Sequence, residues 1–277
     1  MIDLLRLCRP YYALPMALAY ALTVYYARGG RMDGGIAETV LSTAALALVI
    51  AGGYALNDVL DAQVDRRGAP WRPIAAGRVS RPSGGAWAAG LLVAGLVLAA
   101  FCRWQFLAAL AAVAAALVAY DALSKRLGVG KQLLAAALMT SIYPLALAAS
   151  GGAAGSRAAS LAFFPAWLFL TAFGYELLKD LRDRAGDPRV AGRPTPVQRR
   201  PALWRIVAGV AILLAVPILA GPLLAGCGWV YLVGACLAAA AAAASVHLPI
   251  RAAIRCVYAE CLLVGLAATA DVLILGM

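Results

Sequence analysis

Long apolar runs recur along this chain of 277 residues, and they constrain its fold more than any other feature. Nine of them approach the ~20 residues that an α-helix needs to cross ~30 Å of hydrocarbon. Only 13% of the residues are charged, against about 25% in a typical soluble domain. The sequence therefore predicts an all-α integral membrane protein with nine transmembrane helices. The predicted spans are approximately residues 11–27, 40–57, 85–101, 104–120, 132–149, 159–177, 205–221, 229–247 and 257–275.

Lysine and arginine residues are distributed unevenly between the loops that join these spans. With a cytoplasmic N-terminus, twenty of the 24 basic residues fall on the cytoplasmic side and four on the other, as the positive-inside rule requires. We therefore expect a multi-pass protein of a bacterial or archaeal cell membrane, with its C-terminus on the opposite side. The net charge of +11 then reflects topology, and we expect no nucleic-acid partner. Residues 1–10 are expected to lie along the cytoplasmic interface as an amphipathic lead-in without a chemical role.

A row of acidic residues follows the second apolar run. Asp58, Asp61 and Asp65 have the spacing i, i+3, i+7, so they share one face if the helix continues. Like charges on one face repel each other, and Mg²⁺ would relieve this repulsion because it prefers carboxylate oxygens and completes its shell with water and phosphate. Asn57 either orients a metal ion or a phosphate, or forms a hydrogen bond at the helix end.

An arginine-rich loop follows this row directly. Its prolines forbid a continuous helix between Arg66 and Pro82, so the sequence predicts a loop of fixed shape. Arg72 lies between Trp71 and Pro73, and a stiff loop positions its guanidinium well. We therefore assign Arg72, among the arginines of this loop, a role in binding substrate.

A second row repeats the same spacing at the end of the sixth run, with Asp180, Asp183 and Asp187. Seven of the 13 acidic residues of the chain lie in the two rows, counting Glu176. Two rows on the same predicted side of the membrane suit two or more Mg²⁺ ions around a diphosphate. The alternative is that each row is a solvated helix end that forms ion pairs with its own arginines.

The two rows and their flanks carry a resemblance to a known family. The segment NDVLDAQVDRRGAPWRPIAAGRVS, which begins at Asn57, resembles the NDxxDxxxD and RPIxxGxxS signature of the UbiA superfamily of intramembrane prenyltransferases. The segment YELLKDLRDRAGD, which begins at Tyr175, resembles the second aspartate motif of that family. The resemblance extends to Tyr120 and Lys125, and it departs from the family pattern at Lys131, where asparagine is frequent.

The resemblance implies a single domain over residues 1–277, with nine helices around a central cavity and the two aspartate motifs at its cytoplasmic mouth. It implies Mg²⁺-dependent transfer of an isoprenyl group from an isoprenyl diphosphate, through an allylic cation, to an acceptor within the membrane.

Residue roles carry over by position. The implied metal ligands are Asp58, Asp61, Asp65, Asp180, Asp183 and Asp187, of which Asp58, Asp61, Asp180 and Asp183 are the implied catalytic residues. The implied diphosphate-binding residues are Asn57, Arg72, Lys125, Arg126 and Lys179. Tyr120 and Tyr175 are expected to line the reaction chamber.

The nature of the acceptor is less constrained. The segment after Asp65 is closer to the form in digeranylgeranylglyceryl phosphate synthases and chlorophyll synthases than to the RTxxRPL form of 4-hydroxybenzoate polyprenyltransferases. We therefore favour a hydroxyl-bearing or lipid-like acceptor. An aromatic acceptor and an intramembrane terpene cyclase are the alternatives. A transporter with a cation relay would place its acids near mid-span, whereas these acids lie at the ends of spans.

Overall fold

The computed structural model describes residues 1–31, 35–123, 127–155, 158–184 and 196–275, and within these ranges every regular element is a helix. Thirteen α-helices follow one another, with short 3₁₀ turns at residues 158–162 and 216–220. The α-helices are α1 (Ile2–Leu7), α2 (Pro10–Ala27), α3 (Ile36–Gly68), α4 (Arg81–Ala99), α5 (Trp104–Leu123), α6 (Gly130–Thr140), α7 (Ile142–Ser150), α8 (Phe164–Arg184), α9 (Pro196–Arg199), α10 (Pro201–Ala215), α11 (Gly221–Leu224), α12 (Trp229–His247) and α13 (Ile250–Leu275).

Eight segments in the described ranges are long and apolar enough to cross a membrane, and they correspond to the second through ninth predicted spans. The first predicted span forms α2, a helix of 18 residues that is not among the eight. Its five tyrosines and two prolines lower its hydropathy, so length alone supports α2 as a ninth span. The number nine and the orientation of the termini therefore stay predictions.

The fifth predicted span consists of two helices. α6 ends at Thr140 and α7 begins at Ile142, with Pro144 in its first turn. Proline has no N–H to donate to the carbonyl four residues earlier, and its ring clashes with that carbonyl, which here belongs to Thr140. The break at Ser141 is therefore encoded by a single residue.

Small residues allow α3 to pack closely against its neighbours. A Cβ atom on Gly52 would lie 2.8 Å from Leu92 of α4, and one on Gly53 would lie 2.3 Å from Leu117 of α5. A Cβ atom on Gly95 of α4 would lie 2.8 Å from the carbonyl oxygen of Ala45. Such close approach is how helices associate in membranes, where dispersion and packing replace the hydrophobic driving force.

α3 is the element that positions the first acidic row. It has 33 residues and runs without a break from its apolar part through Asp65 to Gly68. Because the helix is continuous, the three carboxylates of the first row lie on one face, as the sequence predicts.

Candidate active site

Asp58 is the most deeply buried carboxylate of the first row, with 2% of its surface exposed. It accepts hydrogen bonds from two guanidinium groups, those of Arg9 and Arg72. Arg72 Nη1 lies 3.3 Å from Asp58 Oδ1 and 2.6 Å from Asp65 Oδ2, so it joins two acids that are two helical turns apart. Burying a carboxylate is costly unless it is paired and hydrogen-bonded, and the two arginines satisfy that condition.

The loop between α3 and α4 holds Arg72 in place. Ile74 and Val79 are buried at 4% and 9% exposure, so the loop packs onto the bundle at both ends. Gly77 has a φ of +74°, a left-handed conformation that glycine adopts without a steric cost. The hydroxyl of Ser80 accepts a hydrogen bond from the backbone N–H of Ser83 and caps α4. Gly77 and Ser80 are the glycine and the serine of the RPIxxGxxS pattern, so the turn and the helix cap explain why the loop has these two residue types.

Asn57 connects the first row to α5. Its amide nitrogen lies 3.4 Å from Asp61 Oδ2 and 3.3 Å from Asp121 Oδ1. Asp121 is 8% exposed, and its other carboxylate oxygen has no partner among the described residues. Asp121 was not predicted as a site residue, because a single acid at the end of an apolar run carries no periodic signal.

Arg9 lies within the segment that was expected to act only as an interfacial lead-in, yet its guanidinium contacts the first acidic row. α1 packs Leu7, which is fully buried, into a cluster with Ala55, Ala62 and Ile74, and this brings the following Arg9 against Asp58. The pKa of the Arg9 guanidinium is raised, because the adjacent carboxylate of Asp58 outweighs the effect of burial, which acts to lower it. The position of Arg9 directly before the first apolar run was the available sequence signal.

The second row lies on α8 and is less uniform. Glu176 is 5% exposed and pairs with Lys179, whose Nζ lies 2.8 and 2.9 Å from its two carboxylate oxygens. Asp180 is 8% exposed and lies 3.5 Å from the side-chain amide of Gln132 on α6. The Asp183 side chain is 55% exposed and pairs with the adjacent Arg182 at 2.8 Å. Among the members of the two rows that the structure describes, only Asp183 has the exposed, locally paired environment that the alternative reading requires.

Two tyrosines, Tyr54 on α3 and Tyr120 on α5, lie within electrostatic range of Lys179 on α8. Arg9 lies 5.1 Å from the Tyr54 ring centroid. The structure thus places parts of both rows around a shared set of side chains. Tyr175, the other predicted chamber residue, is 9% exposed, and its hydroxyl oxygen lies 2.7 Å from that of Tyr258 on α13. Lys125, Arg126 and Asp187 lie outside the described residues.

The carboxylates of the two rows fit Mg²⁺ in their chemistry. In the described part of the chain, no three acidic, histidine or cysteine side chains are grouped closely enough to hold one ion alone. Mg²⁺ does not require such a cage, because it commonly binds one or two carboxylates together with water and substrate phosphate. Asp58 and Asp65 carry such oxygens beside the guanidinium of Arg72, so the donor set suits an ion delivered with a diphosphate.

A cavity of about 600 Å³ opens beside Asp58, on the side of α1 and α2. Arg9 and Arg72 line it together with Arg6 of α1, and Trp71 and Tyr11 form part of its apolar wall. This cavity could not be predicted from the sequence, because it forms between α1 and the loop after α3, which are distant in the chain.

The fold and the site define an all-helical membrane protein with acidic rows near the ends of two long helices and arginines set against the first row. The model of the UbiA prenyltransferase family matches residues 13–254, a range that includes both rows. The chain belongs to this family, and it is a prenyltransferase.

Relatives and solved structures are consistent with this assignment. The chain is 34% identical to a digeranylgeranylglyceryl phosphate synthase from Methanopyrus kandleri, over 85% of this chain and 84% of the relative. It is also 34% identical to one from Halobacterium salinarum, over 84% and 82%.

Two solved structures share the fold. One, described as a digeranylgeranylglyceryl phosphate synthase, aligns with a TM-score of 0.78 at 21% identity and covers 97% of each chain. A UbiA homologue from Archaeoglobus fulgidus bound to GPP and Mg²⁺ aligns with a TM-score of 0.74 at 18% identity, over 97% of this chain and 99% of that one.

Proposed function

We propose that this chain transfers an isoprenyl group from an isoprenyl diphosphate to a hydroxyl group of a glycerophosphate-type acceptor, with Mg²⁺ as cofactor. The observation that carries the proposal is the 34% identity to digeranylgeranylglyceryl phosphate synthases over more than four fifths of the chain. The solved homologue with bound GPP and Mg²⁺ supports the choice of a diphosphate donor.

The side chains of the first row would prepare the donor site. Asp58, Asp61 and Asp65 would hold two or more Mg²⁺ ions together with Asp180, Asp183 and Asp187. Asn57 orients Asp61 through its amide. When bound, Mg²⁺ would supply positive charge that offsets the negative charge of the leaving diphosphate.

Cationic side chains would hold the diphosphate itself. Arg72 moves from the carboxylates to the diphosphate oxygens, where its fork of N–H donors matches the geometry of phosphate. Lys179 binds from the opposite row, and Lys125 and Arg126 are proposed to assist. Since a departing diphosphate accumulates charge, these contacts strengthen toward the transition state.

The reaction breaks the bond between C1 of the isoprenyl group and the diphosphate oxygen, and the electron pair leaves with the diphosphate. The remaining allylic cation is shielded from water in a central cavity between the helices, with Tyr120 and Tyr175 in its wall. The hydroxyl oxygen of the acceptor then forms a bond to C1, and its proton passes to water at the mouth of the site.

The membrane arrangement is part of this proposal. α2 crosses the membrane together with the eight apolar segments, which gives nine spans in total. The N-terminus is then cytoplasmic, and the C-terminus lies on the opposite side. Reporter fusions at each loop test this topology, and a periplasmic or external signal from the loop between α3 and α4 would contradict it.

A panel of acceptors tests the function. Purified protein in lipid nanodiscs receives geranylgeranyl diphosphate and Mg²⁺ with geranylgeranylglyceryl phosphate, with 4-hydroxybenzoate, or with no acceptor. We expect an ether lipid in the first reaction only. A prenylated aromatic acid would instead support an aromatic prenyltransferase, and a terpene formed without acceptor would support a cyclase.

A further inference from the structure

Asp121 is a buried acid on α5 that belongs to neither acidic row. Its surface is 8% exposed, and its carboxylate oxygen Oδ2 has no hydrogen-bond partner among the described residues. It lies in the last turn of α5, where the helix dipole disfavours a negative charge. A carboxylate in this position costs free energy, and ionisable groups at such sites in membrane proteins are candidates for a function.

The other carboxylate oxygen of Asp121 contacts Asn57, the only asparagine of the chain. Asn57 Nδ2 lies 3.3 Å from Asp121 Oδ1 on α5 and 3.4 Å from Asp61 Oδ2 on α3. A primary amide has two N–H donors. Both donors of Asn57 are therefore directed at carboxylates, which belong to two different helices.

The two carboxylates decide which way the amide of Asn57 faces. An ionised carboxylate only accepts hydrogen bonds, so the swapped orientation would turn the amide oxygen toward two negatively charged oxygens. Each of the two contacts is long for a hydrogen bond. Asp61 alone would therefore hold the amide weakly, and Asp121 adds the second acceptor that fixes its orientation.

The fixed orientation determines what Asn57 can offer to a ligand. Its two N–H groups are engaged, so they could donate to a diphosphate only by leaving an acid. Its side-chain oxygen accepts no hydrogen bond from the residues that the structure describes, and Asn57 is partly exposed. Amide oxygens are suitable ligands for hard divalent cations, so the free atom of the amide suits a cation rather than a phosphate.

We propose that Asp121 is a positioning residue of the donor site. It holds the amide of Asn57 with its nitrogen toward the acids, and this leaves the carbonyl oxygen available to a cation that binds with the diphosphate. The inference rests on the proposed function for the Mg²⁺–diphosphate complex, but it does not depend on the identity of the acceptor. Asp121 contacts neither substrate nor cation and acts through Asn57.

Two variants of similar size separate the acceptor oxygen of Asp121 from its charge. Asp121→Asn and Asp121→Leu both remove the negative charge, but only Asp121→Asn keeps an oxygen that can accept from Asn57. Binding of Mn²⁺ to the full-length protein in nanodiscs is measured by electron paramagnetic resonance, with the unreactive donor analogue geranylgeranyl thiolodiphosphate and no acceptor. We expect Asp121→Leu to bind Mn²⁺ at least about tenfold more weakly than Asp121→Asn, as loss of a group that orients a ligand does elsewhere.

The same pair of variants in an Asn57→Ala background tests whether Asp121 acts through Asn57. Without the amide there is nothing for the acceptor oxygen to orient, so the two variants should then bind Mn²⁺ within about twofold of each other. A tenfold difference that persists in this background would show that Asp121 acts by another route, and it would contradict the inference.

Equal Mn²⁺ affinity of Asp121→Asn and Asp121→Leu with Asn57 intact would also overturn the inference. If both variants bind weakly, the charge of Asp121 matters and its acceptor oxygen does not. If both bind as the wild type does, Asp121 has no part in the donor site. Should Asp121→Leu not give folded protein, Asp121→Ala, which also lacks an acceptor, is compared with Asp121→Asn in its place.

The inference and the proposed function fail in different ways. A wild-type protein that binds no Mn²⁺ in the presence of the donor analogue would refute the metal–diphosphate site, and the positioning role with it. Binding by the wild type without a difference between the two Asp121 variants would refute the positioning role alone and leave the proposed function standing.

Discussion

The guanidinium of Arg9 donates a hydrogen bond to the carboxylate of Asp58, although the two residues are 49 positions apart in the chain. This contact ties the segment between α1 and α2 to the first acidic row. Leu7 of α1 packs in the same place, in one hydrophobic cluster with Ile74 and Val79 of the loop after α3. Arg9 therefore belongs to the candidate active site.

Replacing Arg9 is expected to affect both stability and activity. Arg9→Gln leaves the buried Asp58 with Arg72 alone, and removing one partner of a buried ion pair costs about 3–5 kcal/mol when no other partner remains. Since the charge of Arg72 still compensates that of Asp58, we expect the free energy of unfolding to fall by about 2 kcal/mol. Denaturant unfolding in detergent measures this change. The double variant Arg9→Gln/Asp58→Asn should recover most of this stability and remain inactive. Equal stability of Arg9→Gln and wild type would contradict the pairing.

Each acidic row is expected to be indispensable. Asp58→Asn and Asp180→Asn remove one carboxylate from each row and should lower the rate of diphosphate release by at least about a hundredfold, as loss of electrostatic stabilisation does elsewhere. Glu38→Gln is the control, because Glu38 is also an ion-paired carboxylate, bonded to Arg28 at 2.8 Å, but lies outside both rows. Wild-type rates in either aspartate variant, with a folded protein, would show that its row is not part of the metal site.

Asn57 is expected to act through the carboxylates that it orients. Asn57→Ala removes the donor to Asp61 and Asp121, and loss of such an orienting group typically lowers metal affinity by about 10–100-fold. A titration of activity with Mg²⁺ should show the half-saturating concentration rising by that factor, with recovery of part of the rate at high Mg²⁺. An unchanged Mg²⁺ titration would assign Asn57 a different role.

Packing between α3 and α4 provides a prediction that is independent of function. Gly95→Ala would place a Cβ 2.8 Å from the carbonyl of Ala45, and such overpacking costs about 1–3 kcal/mol. Gly90→Ala in the same helix meets no atom within 4 Å and should be neutral or stabilising by up to about 1 kcal/mol. Thermal unfolding of the two variants in detergent measures the difference, and equal Tm values would contradict the close approach of the helices.

The sequence predicts the helices well and the site only in part, for physical reasons. A span and an i, i+3, i+7 row are local patterns, so the eight apolar segments and the continuous face of α3 could be predicted from residue order alone. The pairing of Arg9 with Asp58 and the bond between Asn57 and Asp121 are contacts between distant segments, which no local period encodes. The position of Arg72 near the acids could be predicted from the sequence, because the prolines around it fix a loop directly after the first row. The cavity beside Asp58 could not be predicted in this way, because it exists only when α1 packs onto the bundle.

Mg²⁺-dependent transfer from an isoprenyl diphosphate to a glycerophosphate hydroxyl can be tested by measuring both products of the reaction together. Inorganic diphosphate and the prenylated lipid are quantified in one reaction of purified protein with geranylgeranyl diphosphate and geranylgeranylglyceryl phosphate, with and without Mg²⁺. We expect one diphosphate released for each ether lipid formed, and neither product when Mg²⁺ is chelated. Diphosphate released at the same rate without acceptor, or ether lipid formed without Mg²⁺, would contradict this expectation.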